Sequence, residues 1–558
     1  MSRDAFAVEA GRLPDGDGPA VFCLRRPPAV TRTALIVPPP FEERKAARAA
    51  LAAAAAALAR TGCAALTLDP AGTGDAPGDD AAFTVETWAR DLHAAAAWLR
   101  RRFPAAPQVW LGLRAGAALA LREAAADAAP PAALVLWEPV EGPACVRQLL
   151  QRRLVNDMLA HGRARVARAD IERQLAAGGT VDLDGFPLTA ALHAGLQSLG
   201  AAAWPGPGLV VATGPDTRPA EACCRLAPGL ERLDLRLPPF WNTVGLVDTA
   251  PLAAATADWI GRRVQGREGN RPDQSDPTDP TDLLPAERFV SFPGAGGVLR
   301  GVLHAPPPGT PVRGRLLFLP GWSGDRTGPH RIFVRAARRL AARGWTCLRL
   351  DYGGRGDSDG APAVATIASM TADAQTALAW LRAAAPDGGP LAIAAICSGC
   401  KVALFAAADA PDVTRLALWS AESMGSLRAG ATGRRKTWDV LRAYGRKLLQ
   451  RETWRKLLRG QVRARMVGRA LVQPEVRSAA EARAEDATLG RLRSYRGSIL
   501  FVYGGSDPDA AGSSAAYDGF CTRHNIAHIR HTVPHAGHSY YGLEWEAEVL
   551  RTTEKWLG

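Results

Sequence analysis

A chain of 558 residues with 68 lysines and arginines against 55 acidic residues carries a formal net charge of +13 and is 47% hydrophobic. That composition excludes a disordered or fibrous protein, and the length gives room for two single-core domains. The positive charge has two readings, either the alanine- and arginine-rich usage of a GC-rich genome or attraction to acidic substrates, anionic lipid or nucleic acid; aromatic content is only 6%, no nucleic-acid motif is present, and no nucleic-acid partner is expected.

The opening Met1-Ser-Arg-Asp-Ala-Phe6 lacks the charged start and apolar core of a signal peptide. Ala46 to Ala59 is too short and weak to span a bilayer and reads as a helix. No transmembrane segment is expected. Nine scattered cysteines suit reduced thiols, so a cytoplasmic setting is expected.

Further along, the chain repeats itself. Leu66-Thr-Leu-Asp69 with Gly72-Thr-Gly74-Asp75 returns as Leu348-Arg-Leu-Asp351 with Gly353-Gly-Arg-Gly356-Asp357. Asp91 to Arg100 returns as Asp373 to Arg382, each with a tryptophan at its eighth position, and Ala133-Leu-Val-Leu-Trp137 returns as Arg415-Leu-Ala-Leu-Trp419. The same order at nearly the same spacing argues for two copies of one domain, 1–264 and 286–558. Residues 265–285 have almost no apolar content and read as a Pro/Asp/Thr-rich linker.

Within each copy, apolar strand-like runs alternate with helix-like stretches, the pattern of a mostly parallel sheet with helices on both faces. In the second copy the strands read as Arg315–Pro320, Thr346–Leu350 and Ser498–Tyr503, with a helix from Phe333 to Arg343 ended by Gly344. Residues 421–496 read as an Arg-rich helical cap, with Leu441, Leu448, Leu449, Trp454, Leu457 and Leu458 on helical spacings; 141–203 take its place in the first copy.

Leu391-Ala-Ile-Ala-Ala395-Ile396-Cys397-Ser398-Gly399-Cys400 is a strand entering a helix through small residues. Small-x-nucleophile-x-small is the strained elbow of an α/β-hydrolase sheet, so the expected fold is two tandem α/β-hydrolase domains, each with a helical cap insertion. Ala395 and Gly399 centre the elbow on Cys397; centring it on Ser398 would put the larger Ile396 and Cys400 at the small positions. A helix N-terminus favours a thiolate there. The plain alternative is a buried structural cysteine.

In such a sheet the chain order is nucleophile, acid, histidine. Asp507 follows the strand Ile499–Tyr503, and His538 lies in His535-Ala-Gly-His538-Ser-Tyr540 before the final helix. His538 is the expected base and Asp507 its orienting acid; His535 is the alternative base. The plain readings are a turn residue for Asp507 and a surface histidine for His538. The backbone N–H groups of Ser398 and Trp322 are the expected oxyanion donors. Cys397-Ser-Gly-Cys400 is also a C-x-x-C, which leaves a redox dithiol open; with no second pair, a metal site is not expected, nor an organic cofactor.

The first copy keeps the framework and alters the chemistry. Arg114 falls at the place of Cys397, Asp216 at Asp507 and Asn242 at His538, and Pro38-Pro39-Pro40-Phe41 replaces the oxyanion loop. Arginine cannot attack, asparagine is no general base, and proline has no N–H. Arg114 either pairs with the retained Asp216 or offers a cation to an anionic ligand.

Several stretches carry a family resemblance. The Pro-Pro-Pro-Phe-Glu-Glu loop, Gly112-Leu-Arg-Ala-Gly116, Leu136-Trp-Glu-Pro139 and Pro238-Pro-Phe-Trp241 resemble exosortase A system-associated hydrolase 2. Gly301–His304, Gly328–Val334, Leu350–Ser358, the Cys397 elbow and Trp454–Gly460 resemble exosortase A system-associated hydrolase 1, with departures at Ala394-Ala395, where a glycine is usual, and at Ser398. The resemblance implies a bacterial surface-polysaccharide or protein-sorting setting. The expected activity is hydrolysis of a small-molecule ester or thioester by an acyl-cysteine route, with the two halves in contact; acyl transfer and a catalytically silent scaffold are the alternatives.

Overall fold

A computed structural model describes residues 6–13, 20–161, 165–200, 202–243, 245–267, 286–362, 365–386, 388–428 and 478–558. Most of the expected linker, and the leucine- and tryptophan-bearing body of the expected cap with the Trp454–Gly460 stretch, lie outside the described residues.

In chain order the first half contributes β1 (Ala7–Arg12), β2 (Val21–Arg26), β3 (Arg32–Val37), β4 (Cys63–Asp69), β5 (Gln108–Leu113), β6 (Ala133–Trp137), β7 (Thr180–Leu183), β8 (Phe186–Thr189), β9 (Gly208–Ala212) and β10 (Leu230–Asp234). The second half contributes β11 (Glu287–Gly294), β12 (Gly297–His304), β13 (Gly314–Leu319), β14 (Trp345–Asp351), β15 (Leu391–Ile396), β16 (Val413–Trp419), β17 (Ser498–Gly504) and β18 (Ala527–Val533). Two eight-stranded sheets result, β1-β2-β4-β3-β5-β6-β9-β10 and β11-β12-β14-β13-β15-β16-β17-β18. Order and direction coincide: the second strand of each sheet, β2 or β12, pairs antiparallel with both its neighbours, and the remaining pairs are parallel. β7 and β8 pair apart as a hairpin inside the region expected to cap the first half.

The repeat extends to side chains. Thr84 and Thr366 each close a capping box at the start of the helix that carries the repeated aspartate. Asp91 then accepts from Ala71 N–H and Asp373 from Gly353 N–H, each at 2.8 Å, which ties the glycine loop after β4 or β14 to that helix. The buried indoles of Trp137 and Trp419 donate to Thr256 and Thr553 on the last helix of each half, both at 3.1 Å. A buried indole N–H needs such a partner, so both copies fix the central strand to the closing helix in one way.

Those glycine loops also join the halves. Asp75, fully buried, accepts from Arg326 Nε at 2.9 Å and Arg349 Nη1 at 2.7 Å. Its counterpart Asp357 accepts from Arg48 at 2.7 Å and Arg25 at 3.3 Å, both from the first half. Each copy's loop aspartate is thus held by the other copy's guanidinium groups. Arg331 and Arg335 of the second half also pair with Asp80 of the first.

Candidate active site

β15 delivers Cys397 to the head of the helix Ser398–Ala408 with φ 58° and ψ −131°, and β5 delivers Arg114 to the head of the helix Ala115–Ala126 with φ 58° and ψ −123°. A positive φ is costly for a side chain with a Cβ and persists only where packing enforces it. Gly399 shows the enforcement: a Cβ there would sit 2.5 Å from the carbonyl oxygens of Leu319 and Pro320. Backbone hydrogen bonds hold both elbows, from Cys397 N–H to Trp419 at 3.0 Å and from Arg114 N–H to Trp137 at 2.9 Å.

The loop after β17 places Asp507 beside His538, whose Nδ1 lies 2.8 Å from Asp507 Oδ2. Cys397 Sγ, a ring nitrogen of His538 and a carboxylate oxygen of Glu422 all lie within 4.8 Å of one another. The structure therefore brings the three expected residues together and adds Glu422, which sequence reasoning missed. Burial works against charge on His538, but the hydrogen bond to Asp507 and the nearness of Cys397 outweigh it and push the imidazole up to about 10. His535, the alternative base, is exposed.

Trp322 N–H donates to Ser398 Oγ at 2.7 Å, so one expected oxyanion donor is met by a side chain that an incoming oxyanion has to displace. Ser398 heads its helix, where an N–H has no acceptor from a preceding turn. Cys400 is buried, its thiol directed at the carbonyls of Ala395 and Trp419 at 3.3 Å, and burial above all holds the thiol well above its ordinary range. Such a thiol suits packing rather than dithiol exchange.

In the first half Arg114 donates to Glu43 at 3.3 and 3.4 Å and to Gln148, and lies over the Trp241 ring at 5.1 Å. It does not pair with Asp216, as one sequence reading had it. Asp216 is exposed and held by Arg218 at 2.7 and 2.8 Å. The physical reason is the helix Phe41–Arg60, which begins directly after the three prolines and brings the buried Glu43 against the elbow. Asn242 is exposed.

Both elbows open onto one cleft of about 1260 Å³, lined from the first half by Glu43, Arg114, Gln148 and Trp241 and from the second by Trp322, Cys397, Asp507, His538 and Tyr541. Tyr541 Oη donates to Glu42 at 2.9 Å and Leu543 N–H to Asp182 at 2.9 Å, so the segment that carries His538 is fastened to the first half.

Residues 316–552 match the family model described as "Alpha/beta hydrolase family". That match supports a hydrolase built on the second sheet. No curated protein matches the chain. Among solved structures, the chain is similar to a dienelactone hydrolase from Anabaena variabilis at 16% identity, over 48% of this chain and 95% of that one with a TM-score of 0.33. Est1E from Butyrivibrio proteoclasticus, solved with ferulic acid, is similar at 18% identity over 48% and 98% with a TM-score of 0.34. XC6422 from Xanthomonas campestris, described as an a/b serine hydrolase without lid, is similar at 16% identity over 49% and 96% with a TM-score of 0.30. Among the described residues, no helix is long and apolar enough to cross a membrane.

Proposed function

We propose that the second half, 286–558, is a hydrolase of a small-molecule ester or thioester that works through an acyl-cysteine at Cys397. The 2.8 Å contact between His538 and Asp507, with His538 beside an elbow cysteine, carries this reading. Cys397 Sγ attacks the acyl carbonyl, and Ser398 and Trp322 N–H donate to the developing oxyanion. Collapse breaks the bond to the leaving alcohol or thiol, which takes the proton held on His538. With the thiolate consumed, neutral His538 takes a proton from water, and the resulting hydroxide frees the carboxylic acid from sulfur. Asp507 keeps the ring oriented in both steps. An acceptor other than water would make the same site an acyltransferase.

The first half, 1–264, is in this reading a pseudo-hydrolase that walls the cleft and holds the His538 segment through Glu42 and Asp182. On the stretches that resemble the exosortase-associated hydrolases, the setting is a bacterial cytoplasm and the route one that serves surface polysaccharide or sorted protein.

The test is the proton on His538. Its folded value near 10 lies above the ordinary histidine value, so the imidazolium persists through neutral pH and is lost as pH rises through about 10. The alkaline limb of kcat/KM on an aryl ester should fall there. Alkylation of Cys397 by iodoacetamide at neutral pH should slow by about ten-fold in His538→Ala, because the imidazolium that stabilises the thiolate is gone. An unchanged rate in that variant would remove His538 from the site.

A further inference from the structure

Glu422 has no place in the reaction just described, yet it completes a set of metal-binding atoms. We propose that Cys397, His538 and Glu422 form a binding site for a thiophilic divalent cation of the Zn²⁺ class, and that occupancy silences the nucleophile. The site is inferred from the positions of the three side chains and does not rest on the hydrolase reading.

The donor set suits such an ion and no hard cation. Zn²⁺ takes thiolate, imidazole and carboxylate together, whereas Ca²⁺ and Mg²⁺ call for oxygen. Zn–ligand bonds of about 2.0–2.3 Å place donor atoms roughly 3.3–3.7 Å apart around a tetrahedral ion. The three donors already lie within 4.8 Å of one another, so rotations that move each by about 1 Å or less close the gap.

Two further features fit. His538 spends Nδ1 on Asp507 at 2.8 Å, which leaves the buried Nε2 as the ring nitrogen on the Cys397 side. A carboxylate on one ring nitrogen with the other turned to a metal is the usual outer-shell arrangement of a zinc-bound histidine. Glu422 stands on fixed backbone just past β16: its carbonyl accepts from Tyr517 Oη at 3.0 Å, and Ser423 N–H donates to Ser513 Oγ at 3.1 Å. Three protein donors leave a fourth position for water or an anion, as in open zinc sites. At the matching place in the first half stands Val140, which offers no donor, beside an elbow whose arginine carries none. Binding is a ligand exchange: the cation takes the thiolate sulfur, the carboxylate and Nε2, and the proton on Nε2 passes to solvent. No oxidation is involved.

Co²⁺ reports on the site without any assay of turnover. Added anaerobically to the reduced, full-length protein, one equivalent should give a sulfur-to-cobalt charge-transfer band and the visible bands of a four-coordinate ion. Cys397→Ala should remove the charge-transfer band. Glu422→Gln should weaken Zn²⁺, measured by competition with a chromophoric chelator, at least ten-fold, and Glu422→His, which restores a donor, should recover most of that loss. Circular dichroism confirms that each variant is folded. A charge-transfer band that survives in Cys397→Ala would place the ion on other thiols and overturn the proposal, as would Zn²⁺ affinity unchanged in Glu422→Gln. Esterase turnover in excess chelator is read separately, so its absence would count against the hydrolase reading and not against the site.

Discussion

Replacing Cys397 with alanine should abolish ester or thioester turnover, lowering kcat by about a thousand-fold or more while the protein stays folded. The size follows from the role: Cys397 Sγ lies within 4.8 Å of a ring nitrogen of His538, where the proposed nucleophile has to stand. Folding should survive because the strained φ of 58° is enforced by surrounding backbone, including the close approach at Gly399, and not by the sulfur. Alanine tolerates that conformation as well as cysteine does. Cys397→Ser should keep a small residue of activity, since the same base serves a hydroxyl. Steady-state kinetics beside circular dichroism check both. Wild-type turnover in Cys397→Ala would move the nucleophile to Ser398.

The largest stability effect is expected at Asp75. Burial alone would raise its carboxyl, but Arg326 first, then Arg349 and Arg48, hold it well below the usual carboxylate range. Arg349 is itself fully buried and otherwise reaches His304 at 2.8 Å and the Arg326 carbonyl at 3.1 Å. Asp75→Asn therefore leaves buried guanidinium charge uncompensated at the seam between the halves, a change that typically costs about 3–5 kcal/mol. The sign with pH follows: a depressed folded value gives stability that is present above the ordinary aspartate range and lost as pH falls. Urea unfolding at neutral pH and at pH values below the ordinary aspartate range measures both, with a deficit in Asp75→Asn that shrinks only in that strongly acid range. Asp216→Ala, which removes an exposed pair, should cost well under 1 kcal/mol. Equal effects for the two variants would mean that the buried network does not hold the halves together.

Where the sequence was legible, local chemistry made it so. The elbow is written in residues within three positions of one another, and the aspartate and histidine follow in an order that the fold dictates. Repeated short strings exposed the two sheets because each string marks a strand and its turn. Contacts made across the fold were not legible. Glu422 sits in Ala421-Glu-Ser, which reads as the start of the cap, and nothing near it announces a donor turned toward a cysteine that precedes it in the chain by a whole strand and helix. The order of nucleophile and acid could have suggested it, since the end of β16 neighbours the elbow. The partner of Arg114 was misread because Asp216 was matched by analogy with a triad, whereas the chain after three prolines enters a helix that supplies Glu43 first. Asp75 and Asp357 stand in the sequence only as members of a repeated glycine string, and their use by the other copy's arginines depends on how the two halves meet. The hairpin β7–β8 lay within a region read as helical, its four-residue strands too short to impose a period.

The central claim is an acyl group on Cys397, and mass spectrometry of the trapped intermediate tests it most directly. The full-length protein is mixed with an activated acetyl ester, quenched in acid within the first turnovers, digested at low pH and mapped. An acetyl group on the sulfur of Cys397, absent in Cys397→Ala and accumulated in a His538→Ala variant that deacylates slowly, is the predicted result. Acetyl on Ser398, or rapid turnover with no adduct on the peptide that spans 391–401, would contradict the account.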